Sequence, residues 1–282
     1  MKKWMKILAG ITAFMLIGGL LWFANGLVGN PISKALVEYT TEKYIEEHYP
    51  HMELEISDAF YNFKNGNYHV NVQSPTSIDT HFTVALSQTG RIQYDDYEDK
   101  VLGRWNTYDR ISNNYRSKLE AIFDSSDFPY ESEISFGELR FKEVTEDNES
   151  FGPIYGLVIE DLELDKDYDL VELGKEAGYV VFYTEDEDVS VKKAAEILLD
   201  IKNILDKENV PFYAIDFVLE KPRAEEEKPN PHDISVRVNE FLYSDIYEEG
   251  LEERIAGAAK ALEEHYNEQD AKRAQFEATL GK

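Results

Sequence analysis

The side chains able to do chemistry in this chain are few and scattered. It has six histidines and no cysteine, which excludes a thiol nucleophile, a thiolate metal site and a disulfide framework. His48 and His51 are three apart, but Pro50 ends any helix between them. His69 and His81 occupy polar positions in two consecutive alternating patterns, so pairing of those strands predicts one shared wet face. With a carboxylate they could hold zinc, which takes His and Asp or Glu ligands where Cys is absent. No HExxH pattern accompanies them, and a pair of solvent-facing sheet histidines fits the spacing equally well.

The carboxylates are no more specific. Asp95, Asp96, Glu98 and Asp99 form an acidic knot where a strand pattern gives way to a helix pattern. A calcium loop alternates its oxygen ligands around a glycine turn, which adjacent carboxylates do not match. Acidic residues at a helix start answer the macrodipole instead, and the same reading covers Glu185–Asp188. Paired carboxylates could serve glycoside hydrolysis, yet among 56 acidic residues no pair stands out. Neither a G-x-S-x-G elbow nor a glycine-rich phosphate loop occurs. Trp105, Asn106, Tyr108, Asp109 and Arg110 could form a recognition surface, since Trp, Tyr and Arg are favoured at interface hot spots. The alternative places Trp105 and Tyr108 in the core with Asp109 and Arg110 solvated. No residue earns a catalytic assignment, and no cofactor is implied.

The elements that must position these residues follow from periodicity. Asn30-Pro31 is a cap-and-first-turn pair opening a helix to Tyr49, with Ile32, Leu36 and Tyr39 at helical spacing. Four alternating strands follow, marked by Met52–Ile56, Tyr68–Val72, Phe82–Leu86 and Ile92–Tyr94. The apolar parity shifts at Tyr61 and Phe63, which predicts a bulge or a two-sided strand near Asp58–Phe60. Asn65-Gly66 and Thr89-Gly90 mark turns. A long amphipathic helix is expected over Glu98–Asp124. A helix with a four-stranded antiparallel meander resembles the cystatin-like or PepSY-like class of small α+β modules, which mostly bind, inhibit or scaffold. Fold alone does not set function.

A polar break at Asp124–Asp127 suggests a domain boundary. Beyond it the patterns predict strands at Ile134–Lys142, Tyr155–Leu164, Tyr179–Thr184, Tyr213–Leu219 and Ile234–Val238. Helices are expected at Leu170–Ala177, after a cap at Asp188 or Ser190, and from Leu251. Loops are expected at Glu146–Gly152 and Pro222–Asp233, with fraying after Gln269. This order approximates a ferredoxin-like split βαβ unit. The expected organisation is α+β, with residues 1–30 a transmembrane anchor, 31–125 a first domain, 126–269 a second and 270–282 a frayed tail.

The anchor decides where the protein works. Lys2, Lys3 and Lys6 precede an uncharged apolar run from Ile7 to Val28, long enough for a bilayer core. The positive-inside rule predicts a cytoplasmic N-terminus and an extracytoplasmic remainder. The rival is a cleaved signal with a site at Ala24-Asn25-Gly26, for which the run is long. The net charge is -27, so removing the three N-terminal lysines leaves the exported part near -30. Phosphate backbones and anionic lipid or wall polymers would be repelled, which argues against nucleic acid as a partner. An exported chain without disulfides fits a Gram-positive bacterium better than a eukaryotic secretory route.

The stretches Gly90-Arg91-Ile92-Gln93-Tyr94-Asp95-Asp96-Tyr97 and Gly103-Arg104-Trp105-Asn106-Thr107-Tyr108-Asp109-Arg110, with the short anchor, resemble the YfjL-like family of membrane-anchored proteins of Firmicutes. The resemblance covers about residues 1–125. It implies a bacterial envelope location and supplies no substrate or catalytic residue. The leading expectation is a non-enzymatic, single-pass, membrane-tethered module that binds an envelope protein or peptide. The alternative is an envelope hydrolase using carboxylates with a divalent metal. A third is a structural role, with the anchor pairing through Gly10, Gly18 and Gly19.

Overall fold

The computed structural model describes residues 3–142, 151–222 and 235–280. The chain forms two compact units, Met1–Thr107 with Leu162–Lys166, and Tyr108–Asp161 with Asp167–Lys282.

In the first unit, α1 (Lys3–Val28) is uncharged from Ile7 onward and exposed along its length except at the half-buried Asn25. Two residues later α2 (Pro31–His48) starts, with Asn30 accepting from the Ser33 amide and Pro31 in the first turn. The buried stripe of α2 is Ser33, Val37, Thr41 and Ile45. Ile32, Leu36 and Tyr39 share helical spacing, yet they form the outer face and are exposed. Thr41 is tolerated inside because its hydroxyl donates to the Val37 carbonyl.

The sheet is antiparallel, with β1 (Glu55–Ile56) and β2 (Phe60–Asn62) both on the edge of β3 (Asn67–Gln73), followed by β4 (His81–Leu86) and β5 (Ile92–Asp95). Ile56 pairs with Val72 and Phe60 with His69, so the edge takes four residue steps against three on β3. That extra residue is the bulge the parity shift predicts. Gly66 and Gly90 hold positive φ in the turns at one end of the sheet. Tyr68, Val70, Val72, Phe82, Val84 and Leu86 face Val37 and Ile45 across one core.

The helix expected over 98–124 is broken. A π-turn at Glu98–Leu102 ends at Gly103, and α3 runs Trp105–Phe123. A Cβ on Gly103 would lie 2.4 Å from the Asp99 carbonyl, and Arg104 has φ +64°. Arg104 fastens the break by donating to the carbonyls of Val101 and Leu162. Leu162–Lys166 returns to this unit, where Asp165 and Asp79 exchange backbone–carboxylate hydrogen bonds.

The second unit is a four-stranded sheet in the order β6 (Ile134–Leu139), β7 (Gly178–Glu185), β8 (Ala214–Glu220), β9 (Ser235–Leu242). β7 and β8 are parallel and joined by α5 (Val191–Lys207), capped by Ser190. A split βαβ would leave a strand between the parallel partners; here they are direct neighbours. α4 (Leu170–Ala177) leads straight into β7, which is buried on both faces as its unbroken apolar run predicts. Ile197, Leu198, Ile201 and Leu205 of α5 are fully buried. Gly137 of β6 lets Leu119 of α3 lie so close that a Cβ would sit 1.9 Å from its Cδ1.

Three further expectations are corrected. Tyr155–Leu164 is not a strand but a single bridge, Phe141 to Leu157, followed by a 3₁₀ turn at Ile159–Asp161. Gly156 at φ +123° lies against the Arg140 carbonyl, which turns the backbone out of extended geometry. The first strand shortens to Glu55–Ile56. α6 (Leu251–Leu280) continues past Gln269, with its last turns exposed. Most of both predicted loops, 143–150 and 223–234, lies outside the described residues.

Candidate functional site

The histidines do not meet. His69 and His81 share a sheet face, but His69 pairs with Ala85 while His81 pairs with Gln73, four positions away. Four strand steps are about 13 Å. His69 is also not wet: it is 9% exposed, stacked on Phe60 and beside Asn65. Burial follows from the bulge, which carries Phe60 over the His69 ring. Among the described residues no three His, Asp or Glu side chains gather as a metal site.

The acidic knot is spent locally. Asp95 accepts from the hydroxyls of Tyr44 and Tyr49 and from the Tyr97 amide. Burial first, then Asp95, pushes the Tyr44 hydroxyl up to about 12. Asp186 accepts from the Asp188 amide and pairs with Lys193. The aromatic–polar stretch also turns inward in part. Asn106 is buried and donates to the carbonyls of Asp79 and His81. Tyr108 is buried and donates to the Leu139 carbonyl. Trp105 and Arg110 are half-buried and Asp109 is exposed.

A dense polar cluster lies in the second unit, on residues that motif reasoning passed over. β9 slips register against β8: Ile215 faces Phe241 and Phe217 faces Val238, so β9 carries one extra residue. The bulge places Glu240 at φ +50°, a strained conformation for a side chain other than glycine. Its amide donates to Asp216 at 2.7 Å. Arg140 lies 3.6 Å from Glu240 and 3.5 Å from Glu138, with its guanidinium 3.9 Å over the Tyr179 ring. Burial pushes the carboxyls of Asp216 and Glu240 above the usual carboxylate range. Burial likewise raises the Tyr155 and Tyr179 hydroxyls, with Glu240 and Asp216 adding to the respective shifts. The Tyr155 hydroxyl, Glu240 Oε2 and Arg140 Nε are closed from solvent and have no hydrogen-bond partner among the described residues.

Bulges are frequent beside active sites, and carboxyls shifted by burial mark functional candidates. Against this, the Tyr155 hydroxyl and one Glu240 oxygen are sealed within the protein. A sequence signal exists for half of the cluster: after Val236 and Val238 the next apolar residue is Phe241, a parity break that marks a bulge at 239–240. Nothing in the sequence singles out Arg140 or Tyr155.

A groove and a joint between helices stand apart from this cluster among the described residues. A groove of about 400 Å³ opens at the carboxyl ends of β7 and β8, where open α/β sheets hold ligands. Glu131, Glu133, Glu185 and Glu220 line it. The other is the joint between α1 and α2. Asn25 donates to Gln88, Tyr61 donates to the Gly26 carbonyl, and Tyr68 bridges both the amide and the carbonyl of Asn30. Gly29, at φ +69°, ends α1; a Cβ there would meet the Tyr68 hydroxyl at 2.3 Å.

The pattern of the YfjL-like N-terminal domain matches residues 1–96, and that of the YfjL-like C-terminal domain matches residues 114–256. The chain belongs to the YfjL-like family. The sheet of the first unit and the bulged acid–tyrosine–arginine cluster of the second therefore lie on YfjL-like domains, the cluster wholly within the C-terminal one. No curated protein and no solved structure matches the chain.

Proposed function

We propose that the chain is a single-pass, membrane-tethered binding module of the bacterial envelope. Its N-terminus is cytoplasmic, its bulk extracytoplasmic, and it has no catalytic activity of its own. The observation that carries this is the joint at Asn25–Asn30. α1 is long and apolar enough to span a membrane, and it enters the folded unit through a capped, hydrogen-bonded corner rather than a free linker. A leader destined for removal at Ala24–Gly26 gains nothing from side chains that fold against Tyr61, Tyr68 and Gln88. The helix-on-meander build of the first unit is read as cystatin-like or PepSY-like.

The acidic groove supplies the binding chemistry. Its glutamates favour a cationic segment of an envelope protein or peptide. The chain has no native cysteine, so single-cysteine variants at Glu133 and Glu185 carry a photo-crosslinker cleanly. In native membranes both should trap one shared partner that a Thr76→Cys control does not. Adducts no stronger than the control would sink the reading.

A second reading is favoured by the buried Asp216–Glu240 pair, which a hydrolase could use as acid and base. It expects Glu240→Gln to abolish cleavage of wall or lipid substrates by the purified chain. The binding-module reading expects no cleavage by the unaltered chain.

A further inference from the structure

The charge of the protein is unevenly placed, and the end next to α1 is the exception to its acidity. No acidic residue precedes Glu38, and between Ala59 and Tyr94 the only one is Asp79, which is buried. That interval contains the two turns at the α1 end of the sheet. Tyr61 and Gln88, which touch α1, fix those turns beside its last residues. One turn exposes Phe63 and Lys64; the other exposes Arg91. Gly90 of the second turn packs against Leu36, whose own outer face continues to Ile32. Lys64 and Arg91 form no ion pair among the described residues. Asp58 and Glu38 both pair with Lys34.

From this placement we infer that Ile32, Leu36, Phe63, Lys64 and Arg91 form a foot that rests on the lipid surface of the membrane α1 enters. The inference builds on the tether proposed above. α2 starts two residues after α1 ends, so its first turn lies within a few ångströms of the bilayer boundary. An exposed Ile and Phe at that depth bury apolar surface among acyl-chain ends, and flanking Lys and Arg meet lipid phosphate. Each basic residue near an anionic surface is attracted to it, and the attraction falls off within a Debye length. The acidic residues elsewhere on the first unit are repelled by the same surface, which orients that unit foot-down. A symmetric pairing of this face with the same face of a second copy fits less well, because the two turns carry no exposed acid to answer Lys64 and Arg91.

The test uses the full chain in vesicles of equal parts phosphatidylcholine and phosphatidylglycerol. A fluorophore is placed on single cysteines at Phe63, at Thr76 on the opposite end of the sheet, and at Ile17 within α1. Headgroup nitroxide lipid should quench position 63 several-fold more than position 76, and acyl-chain nitroxide should quench position 17. Lys64→Glu with Arg91→Glu should bring position 63 down to the level of position 76 without altering position 17. Equal, weak quenching at 63 and 76 with strong quenching at 17 would overturn the foot and leave the tether standing. Absence of quenching at 17 would remove the tether, and the foot with it.

Discussion

At the residue scale the second unit concentrates its cost in Asp216 and Glu240. Two carboxyls share a bulge, one accepting the backbone amide of the other, beside Arg140 and Tyr179. Their pKa values are raised by burial, so the folded state holds protons more tightly than the unfolded chain. Linkage then has a definite sign. Their contribution to stability is fully present below the ordinary carboxylate range and is lost as pH rises through the folded values. Asp216→Asn keeps an oxygen to accept from the Glu240 amide and removes the ionisation. The thermal midpoint of the variant should therefore gain on the unaltered chain as pH rises from about 4 to about 7. Melting curves across that range check it, and a midpoint difference independent of pH would contradict it. The strained φ of Glu240 and the sealed atoms around it make this a cluster that specifies one packing.

At the level of elements the sheets were legible and the breaks were not. β3, β4 and β5 and the buried run of β7 follow from alternation, because each strand has one dominant core face or two, whereas the edge of the first, five-stranded sheet splits into β1 and β2. The helix over 98–124 reads as continuous because Val101, Trp105 and Tyr108 keep helical spacing across the break at Gly103–Arg104. The spacing cannot register that Arg104 is held at positive φ by carbonyls of Val101 and Leu162, the latter far along the chain. The outer stripe of α2 misleads for a related reason: Ile32, Leu36 and Tyr39 look like a core face, yet Ser33, Val37, Thr41 and Ile45 are buried. Of the candidate sites, His69 and His81 were correctly placed on one face, but their distance depends on register, which a lone pattern does not encode. α3 on β6 shows what close element packing demands. Gly137→Ala puts a methyl into Leu119, which is fully buried and has nowhere to swing. Overpacking of this kind costs about 1–3 kcal/mol. Leu119→Val in the same chain should return part of that loss, so that the double variant melts above Gly137→Ala alone. Additive losses in chemical denaturation would show that the two side chains do not compete for one space.

For the whole molecule, the decisive question is whether α1 is an accessory or part of the fold. Asn25, Gly26, Gly29 and Asn30 all touch the sheet of the first unit, and Asn30 also caps α2. Losing an N-cap costs about 0.5–2 kcal/mol, and each lost hydrogen bond to Tyr61, Tyr68 or Gln88 about 0.5–1.5 kcal/mol. Two fragments separate these terms from the membrane itself: one beginning at Ala24, which keeps the corner, and one beginning at Pro31, which lacks it. The longer fragment should hold the first unit to a midpoint about 5 °C or more above the shorter, as expected for a loss of about 2 kcal/mol in a chain of this size. The second unit, which uses none of these residues, should melt alike in both. Equal first-unit midpoints would mean that the corner is incidental and that removal at Ala24–Gly26 would leave the fold intact. A difference confined to the first unit would mean that the apolar helix and the sheet are one folding object. The foot would then sit on a body whose attachment to α1 is rigid.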